Sequence, residues 1–189
     1  MTLLIIGVVL WSAVHLFPSL LPATRGKLIE KLGDGPYRGL FALDIVIAIV
    51  LMVVGWRSAT IEAVYAPPLY GHPLVTALVL LSFILFGAAK APGNIKRYLR
   101  HPMLMGMAVW AGAHLLANGD NRSVVLFGGL GLWAIVTMIA ISLREGAWEK
   151  PAAAPLSRDL MTLVASGALF ALVIYFHASV FGVSPLPPM

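Results

Sequence analysis

An all-α, polytopic membrane bundle of about six transmembrane helices, with both termini on the periplasmic side, is the fold this sequence predicts. Three observations predict it. The 189-residue chain is 60% hydrophobic and only 11% charged, against roughly 45–50% and about 25% in soluble domains, and its mean hydropathy is +0.92. Six apolar segments approach the ~20 residues that a spanning helix needs. The basic residues alternate between connections as the positive-inside rule requires. This composition excludes a soluble globular enzyme, whose core cannot hide so much apolar surface. It also excludes disorder, which needs low hydrophobicity and high charge. The unbroken apolar runs are not the short alternating strands of a membrane barrel, and helices satisfy their backbone groups within each segment. The length fits one domain, residues 1–189.

The first span is 2–21. No Lys or Arg precedes its apolar run, so it reads as a membrane helix and not as a cleaved signal. The second, 39–56, contains one acid, Asp44. The third is 73–89, the fourth and shortest 102–117, the fifth 124–143 and the sixth 160–181. The connections 22–38 and 150–159 are short and polar or Pro/Ala-rich, so neither forms a domain. The Pro-rich tail 184–189 reads as loose chain. Arg25, Lys27, Lys31 and Arg38 lie between the first two spans. Lys90, Lys96, Arg97 and Arg100 lie between the third and fourth, and Arg144, Lys150 and Arg158 between the last two. Of the 13 basic residues only Arg57 and Arg122 fall on the opposite side, an asymmetry that a miscounted helix would scramble. With Cys 0 there is no disulfide, thiolate metal site or cysteine nucleophile. No basic run carries enough aromatics for nucleic acid, so none is expected as a partner. No internal repeat supports a transporter of the inverted-repeat kind. The lipid bilayer is the expected partner.

A charged side chain within a span costs about 2.5–3.5 kcal/mol on insertion scales. That singles out His15, Asp44, His114 and His177, with His101 at a helix mouth. His15 stands three residues before Pro18, which deprives a carbonyl of its amide partner. It reads either as a ligand or as an interfacial histidine bonding that carbonyl. Arg100-His101-Pro102 opens the fourth span, where proline suits the first helical position. A helix N-terminus flanked by Lys96, Arg97 and Arg100 is an anion site in principle, or a collar for lipid phosphates. His114 has no charged neighbour in sequence, and Gly106, Ala108, Gly112 and Ala113 before it permit close helix approach or a flat ligand. About 20 Å of helix separates His101 from His114, too far for one small ligand to use both, and the spacing matches no HExxH or compact zinc site. Imidazoles from two helices do suit haem iron. Asp44 lies roughly 7 Å inside the second span, near the depth of His15. It either orients that imidazole or pairs with a loop arginine. His177, beside Tyr175, reads as interfacial. The run Gly128-Gly-Leu-Gly131 is apolar all round and reads as helix packing, and no Ser or Thr has a nucleophile–base spacing.

Arg100-His-Pro followed by Trp110-Ala-Gly-Ala-His114, with Tyr37-Arg-Gly-Leu-Phe41, residues 97–106 and Gly146-Ala-Trp148, resembles the NnrU family of bacterial membrane proteins. The likeness covers residues 3–181. It implies a multi-pass protein of the bacterial inner membrane, associated with nitrite and nitric oxide metabolism in denitrification. The family includes the plant 15-cis-zeta-carotene isomerase, a membrane enzyme that uses haem b. The resemblance carries that enzyme's two iron-binding histidines to His15 and His114. Haem b is thus the implied cofactor, with Asp44 orienting His15, and with Arg100 and His101 meeting a propionate or other anion. The implied small partners are nitric oxide or a lipophilic molecule undergoing redox or isomerase-like chemistry; self-association into a homo-oligomer stays open. The plant pattern has a cysteine three residues before the second ligand. Ala111 stands there in this chain, which removes any thiolate switch and the main ground for the same isomerase activity. On ideal helices the depths of His15 and His114 differ by roughly 10 Å, and His15 with His101 mismatches in the opposite sense, so depth does not choose between His101 and His114. Arg-His-Pro also opens a helix in isoprenylcysteine and phospholipid methyltransferases, which use S-adenosylmethionine. Those carry a paired-acid element where this chain has Arg144-Glu145 leading into Gly146-Ala-Trp148. A third reading is a non-catalytic factor for assembly of a denitrification reductase. Likeness of fold alone does not make the chain an enzyme.

Overall fold

The computed structural model describes residues 1–68 and 71–185, the side chains of Gly71 and His72 excepted; residues 186–189 of the Pro-rich tail lie outside the described residues. The helices in chain order are α1 (Thr2–Leu20), α2 (Pro22–Leu32), α3 (Asp34–Ser58), α4 (Gly71–Lys90), α5 (Pro102–Ala117), α6 (Asn121–Glu145) and α7 (Leu156–Phe181), with one 3-10 turn at Ile95–Arg97. Among the described residues there is no strand beyond an isolated bridge between Ala63 and Asp120. Helices α1, α3, α4, α6 and α7 are long and apolar enough to cross a membrane, and α5 is a shorter apolar helix. Their outward faces are apolar: Val9, Leu132 and Leu160 are each 60% exposed or more. Apolar faces repeated on every long helix mark surface that lipid covers. The chain is an all-α membrane helix bundle.

Two differences from the sequence-based spans have local causes. The connection 22–38 is helical almost throughout. Pro22 occupies the first turn of α2, where a missing N–H costs nothing, and Leu28 and Ile29 are half-buried along it. Gly33 breaks the run with φ +86, a left-handed conformation that glycine adopts freely. Helix α3 then starts at Asp34, five residues earlier than hydropathy alone places it. An Asp34–Arg38 pair at 2.8 Å supports that exposed first turn, and charge there hides the helix from a hydropathy window.

The contacts divide the chain into two compact units, Met1–Ala66 with Asn118–Gly146, and Pro67–Ala117 with Ala147–Met189. In the first, α1 packs on α3 and α6. The α1–α3 contact is made by small residues: a Cβ on Gly7 would lie 2.8 Å from the Met52 amide nitrogen, and a Cβ on Gly55 would run into the backbone of Leu4. Where lipid is as apolar as the side chains, such close backbone approach is what holds helices together. Gly129, in the run read as helix packing, receives the side chain of Val8. Helix α6 opens with a π turn at Val124–Gly128.

A polar clasp closes this unit just before α6. Asp120 caps the helix, accepting from the N–H groups of Arg122 (3.0 Å) and Ser123 (3.1 Å) and from the Ser123 hydroxyl (2.6 Å). The Asn121 side chain donates to the Thr60 carbonyl and accepts from the Glu62 N–H. The Arg122 guanidinium donates to the Trp56 carbonyl and lies 4.6 Å over the Trp56 ring. Burial alone would raise the Asp120 carboxyl, but the Ser123 hydroxyl, the Ser123 N–H and the Arg122 charge outweigh it and hold the group below its ordinary value. A depressed folded-state value means stability that is full above the ordinary carboxyl range and is lost as pH falls through the folded value. Thermal melts are therefore expected to be flat from neutral pH down to about pH 4 and to fall in more acid solution. Asp120→Ala should cost about 1 kcal/mol and shrink that acid limb.

In the second unit α4 packs on α5 and α7. Gly106 seats the Phe86 ring, Gly87 meets Ser166 and Thr162, and Phe83 stands edge-on to Phe170 at 5.8 Å. Asn94 ties the connection after α4 to the start of α7. Its N–H and its side-chain amide donate to the two Asp159 oxygens at 2.6 Å each. The same amide donates to the Ala154 carbonyl and its oxygen accepts from the Ala154 N–H. Asn94→Ala is expected to raise amide hydrogen exchange about tenfold across residues 91–100 and 150–159, with α6 exchange unchanged.

Candidate functional site

His15 and His114 share one local geometry. On α1 the Nδ1–H of His15 donates to the Trp11 carbonyl at 2.8 Å, and the imidazole lies 4.1 Å from the Trp11 ring. On α5 the Nδ1–H of His114 donates to the Trp110 carbonyl at 2.8 Å, with the rings 4.6 Å apart. A tryptophan four residues before a histidine lies one turn below it on the same helix face, so Trp-x-x-x-His is the local cause in both. Because a carbonyl only accepts, Nδ1 carries the proton, and in the neutral ring the lone pair sits on Nε2. His15 thus bonds the Trp11 carbonyl and not the Val14 carbonyl that Pro18 leaves without an amide.

Around His15 the packing is aromatic. The Trp133 ring of α6 lies 5.2 Å away and the Phe41 ring of α3 at 5.7 Å, while Tyr37 lies one turn before Phe41. Trp11 Nε1, Trp133 Nε1 and the Tyr37 hydroxyl are buried without a hydrogen-bond partner. An orphaned buried donor costs about 1–3 kcal/mol, so three in one aromatic cluster mark a place that favours an acceptor.

Asp44 lies ten residues into α3, roughly 15 Å along it, and the antiparallel register of Gly7 against Met52 and of Gly55 against Leu4 sets it near the level of His15. It is half-buried and makes no hydrogen bond or ion pair among the described residues. Neither the bond to His15 nor a pairing with a loop arginine is formed. His114 is half-buried, beside the fully packed Ala113 and one turn from Ala111. His177 donates from Nδ1 to the Val183 carbonyl at 2.7 Å.

Arg100 and His101 do come together. With Lys96, Met103, Trp148 and Pro151 they line a cleft of about 300 Å³ at the start of α5. Arg97 braces its rim, donating from Nε to the Pro151 carbonyl at 3.0 Å. Trp148 was noted in the sequence only as part of Gly-Ala-Trp; nothing in its spacing announces a cleft wall. Sequence reasoning gave no role at the site to Trp11, Trp110, Trp133 or Tyr37, although Trp-x-x-x-His occurring twice was a readable signal.

Among the described residues no group of three or more His, Asp or Glu is placed to hold a bare metal ion. A porphyrin iron needs only one or two protein ligands, since the macrocycle supplies the rest, and an imidazole preset as in His15 or in His114 is a ligand of that kind. Comparison with known proteins gives one match: the family model for NnrU protein covers residues 3–185. No curated protein and no solved structure matches the chain.

Proposed function

Since the chain belongs to the NnrU family, we propose that it is an integral haem b protein of the bacterial inner membrane, with His15 and His114 as the iron ligands. The observation that carries this reading is the shared tautomer: each ring gives its Nδ1 proton to the tryptophan carbonyl one turn back, which leaves Nε2 as the ring's acceptor atom. Such a second bond fixes ring orientation and raises ligand basicity at metal sites. The buried indole N–H groups beside His15 support it further, as donors for polar atoms of a bound group. Bound haem would supply one-electron chemistry and an iron to which nitric oxide binds. Arg100 and His101 bring positive charge for an anionic group. With Ala111 three residues before His114 and no cysteine in the chain, no thiolate is available as an iron ligand. The role that follows is redox or nitric oxide chemistry in denitrification, or isomerisation of a lipophilic molecule.

The test is a dithionite-reduced minus oxidised visible spectrum of full-length protein purified after expression with haem supply. A Soret band with sharp reduced α and β bands is the expected result. A spectrum without a Soret band overturns the reading.

A further inference from the structure

We propose that the cleft at the start of α5 binds a phosphate group that carries an apolar or aromatic-compatible substituent. Two cationic side chains, Lys96 and Arg100, line it together with the His101 imidazole, and no carboxylate does. They lie within six consecutive residues, on the 3-10 turn Ile95–Arg97 and just before Pro102, so positive charge is gathered at one opening. Lys96 is half-buried there rather than extended into solvent. The remaining lining, Met103, Trp148 and Pro151, is apolar and flat, which suits an organic group attached to the phosphate and not a bare ion.

The backbone adds donors. Helix α5 begins at Pro102, which has no N–H, so the Met103 and Leu104 amides are the first without an intrahelical acceptor. Both residues line the cleft. Phosphate presents several oxygens and up to two charges, matching dispersed cations and amides better than the planar, singly charged carboxylate. The walls are set before a ligand arrives. The Asn94–Asp159 bonds occupy the carboxylate of Asp159 on the neighbouring element, and Arg97 holds Pro151 in place. The cleft lies at the ends of spans, on the side that the Lys and Arg count assigns to the cytoplasm, where lipid headgroups and soluble phosphate compounds are both within reach. Neither His15 nor His114 lines it; the inference rests on the anion-binding role proposed above for Arg100 and His101, and not on the iron ligands.

Isothermal titration of the full-length protein in neutral detergent uses three probes: dioctanoyl phosphatidic acid, dioctanoylglycerol and inorganic phosphate. Saturable binding of the phosphatidic acid without binding of dioctanoylglycerol is expected. Lys96→Gln should weaken it about tenfold or more, Lys96→Arg should recover most of it, and Lys31→Gln on α2 should leave it unchanged. If inorganic phosphate also saturates the site and competes, the natural ligand is a soluble phosphate compound; if it does not, the ligand is a lipid headgroup. No saturable binding of either phosphate probe overturns the proposal. So does equal binding of dioctanoylglycerol, or equal weakening by Lys31→Gln. The Soret spectrum of Lys96→Gln reports haem separately and is expected to match that of the wild type.

Discussion

His114→Ala is expected to lower the haem content of purified protein at least about tenfold, and His15→Ala to do the same, because changes one shell further from a metal already cost 10–100-fold in affinity. His101→Ala is expected to keep the Soret band, since that ring lines the cleft with Arg100 and Lys96. Alanine at either ligand position leaves the tryptophan ring and carbonyl of the preceding turn intact, so a merely structural loss would not respond to small molecules. Free imidazole should therefore restore the band in His15→Ala and His114→Ala. A band that persists in His114→Ala but vanishes in His101→Ala would move the second ligand to His101. Persistence in all three variants would remove the ligand assignment altogether.

Gly55→Leu is expected to give the largest stability loss in the molecule. The Cβ of any side chain at Gly55 falls on the backbone of Leu4, and the equivalent atom at Gly7 lies 2.9 Å from the Ala48 carbonyl oxygen. Backbone cannot step aside as a flexible side chain can, so α1 must separate from α3. Overpacking costs about 1–3 kcal/mol where side chains can adjust, and here at least the upper end applies. Melting followed by circular dichroism in detergent would show a large downward shift for Gly55→Leu. Gly39→Ala on the same helix, with nothing within 4 Å of its Cβ, should be neutral or gain up to about 1 kcal/mol from helix propensity. Because α1 also carries His15, Gly55→Leu should lower haem content, which Gly39→Ala should not. Equal melting of the two variants would refute the close-packed α1–α3 contact.

The sequence carried the long spans well because their signal is additive: a run of apolar residues such as 124–143 needs no partner to be recognised. Helix α2 escaped because Arg25, Lys27, Glu30 and Lys31 make it polar on average, although Pro22 and Gly33 marked its two ends. Local features of the site were equally readable. Trp11 and His15 are four residues apart, and Arg100 and His101 are adjacent, so helix geometry alone predicts each pairing. The surroundings of His15 were not readable, because Trp133 reaches it from a helix more than a hundred residues further on, and only packing decides which face of α6 turns inward. Asp44 shows the reverse case. A lone acid in an apolar run invites a partner from the same depth, but depth alone does not form the bond: His15 Nδ1 is taken by the Trp11 carbonyl on its own helix.

The π turn at Val124–Gly128 separates the Asp120–Ser123 clasp from Trp133. A π turn amounts to one surplus residue in an α-helix, and each residue turns the helix by about 100°. Removing Val125 would let the segment relax into ordinary α-helical winding. The surplus residue is absorbed within the wide turn, so its removal leaves both the Trp56–Arg122 stack at one end and the Trp133–His15 contact at the other in register. The chain between these two points therefore carries one residue of slack, and a one-residue deletion there should be tolerated at both ends.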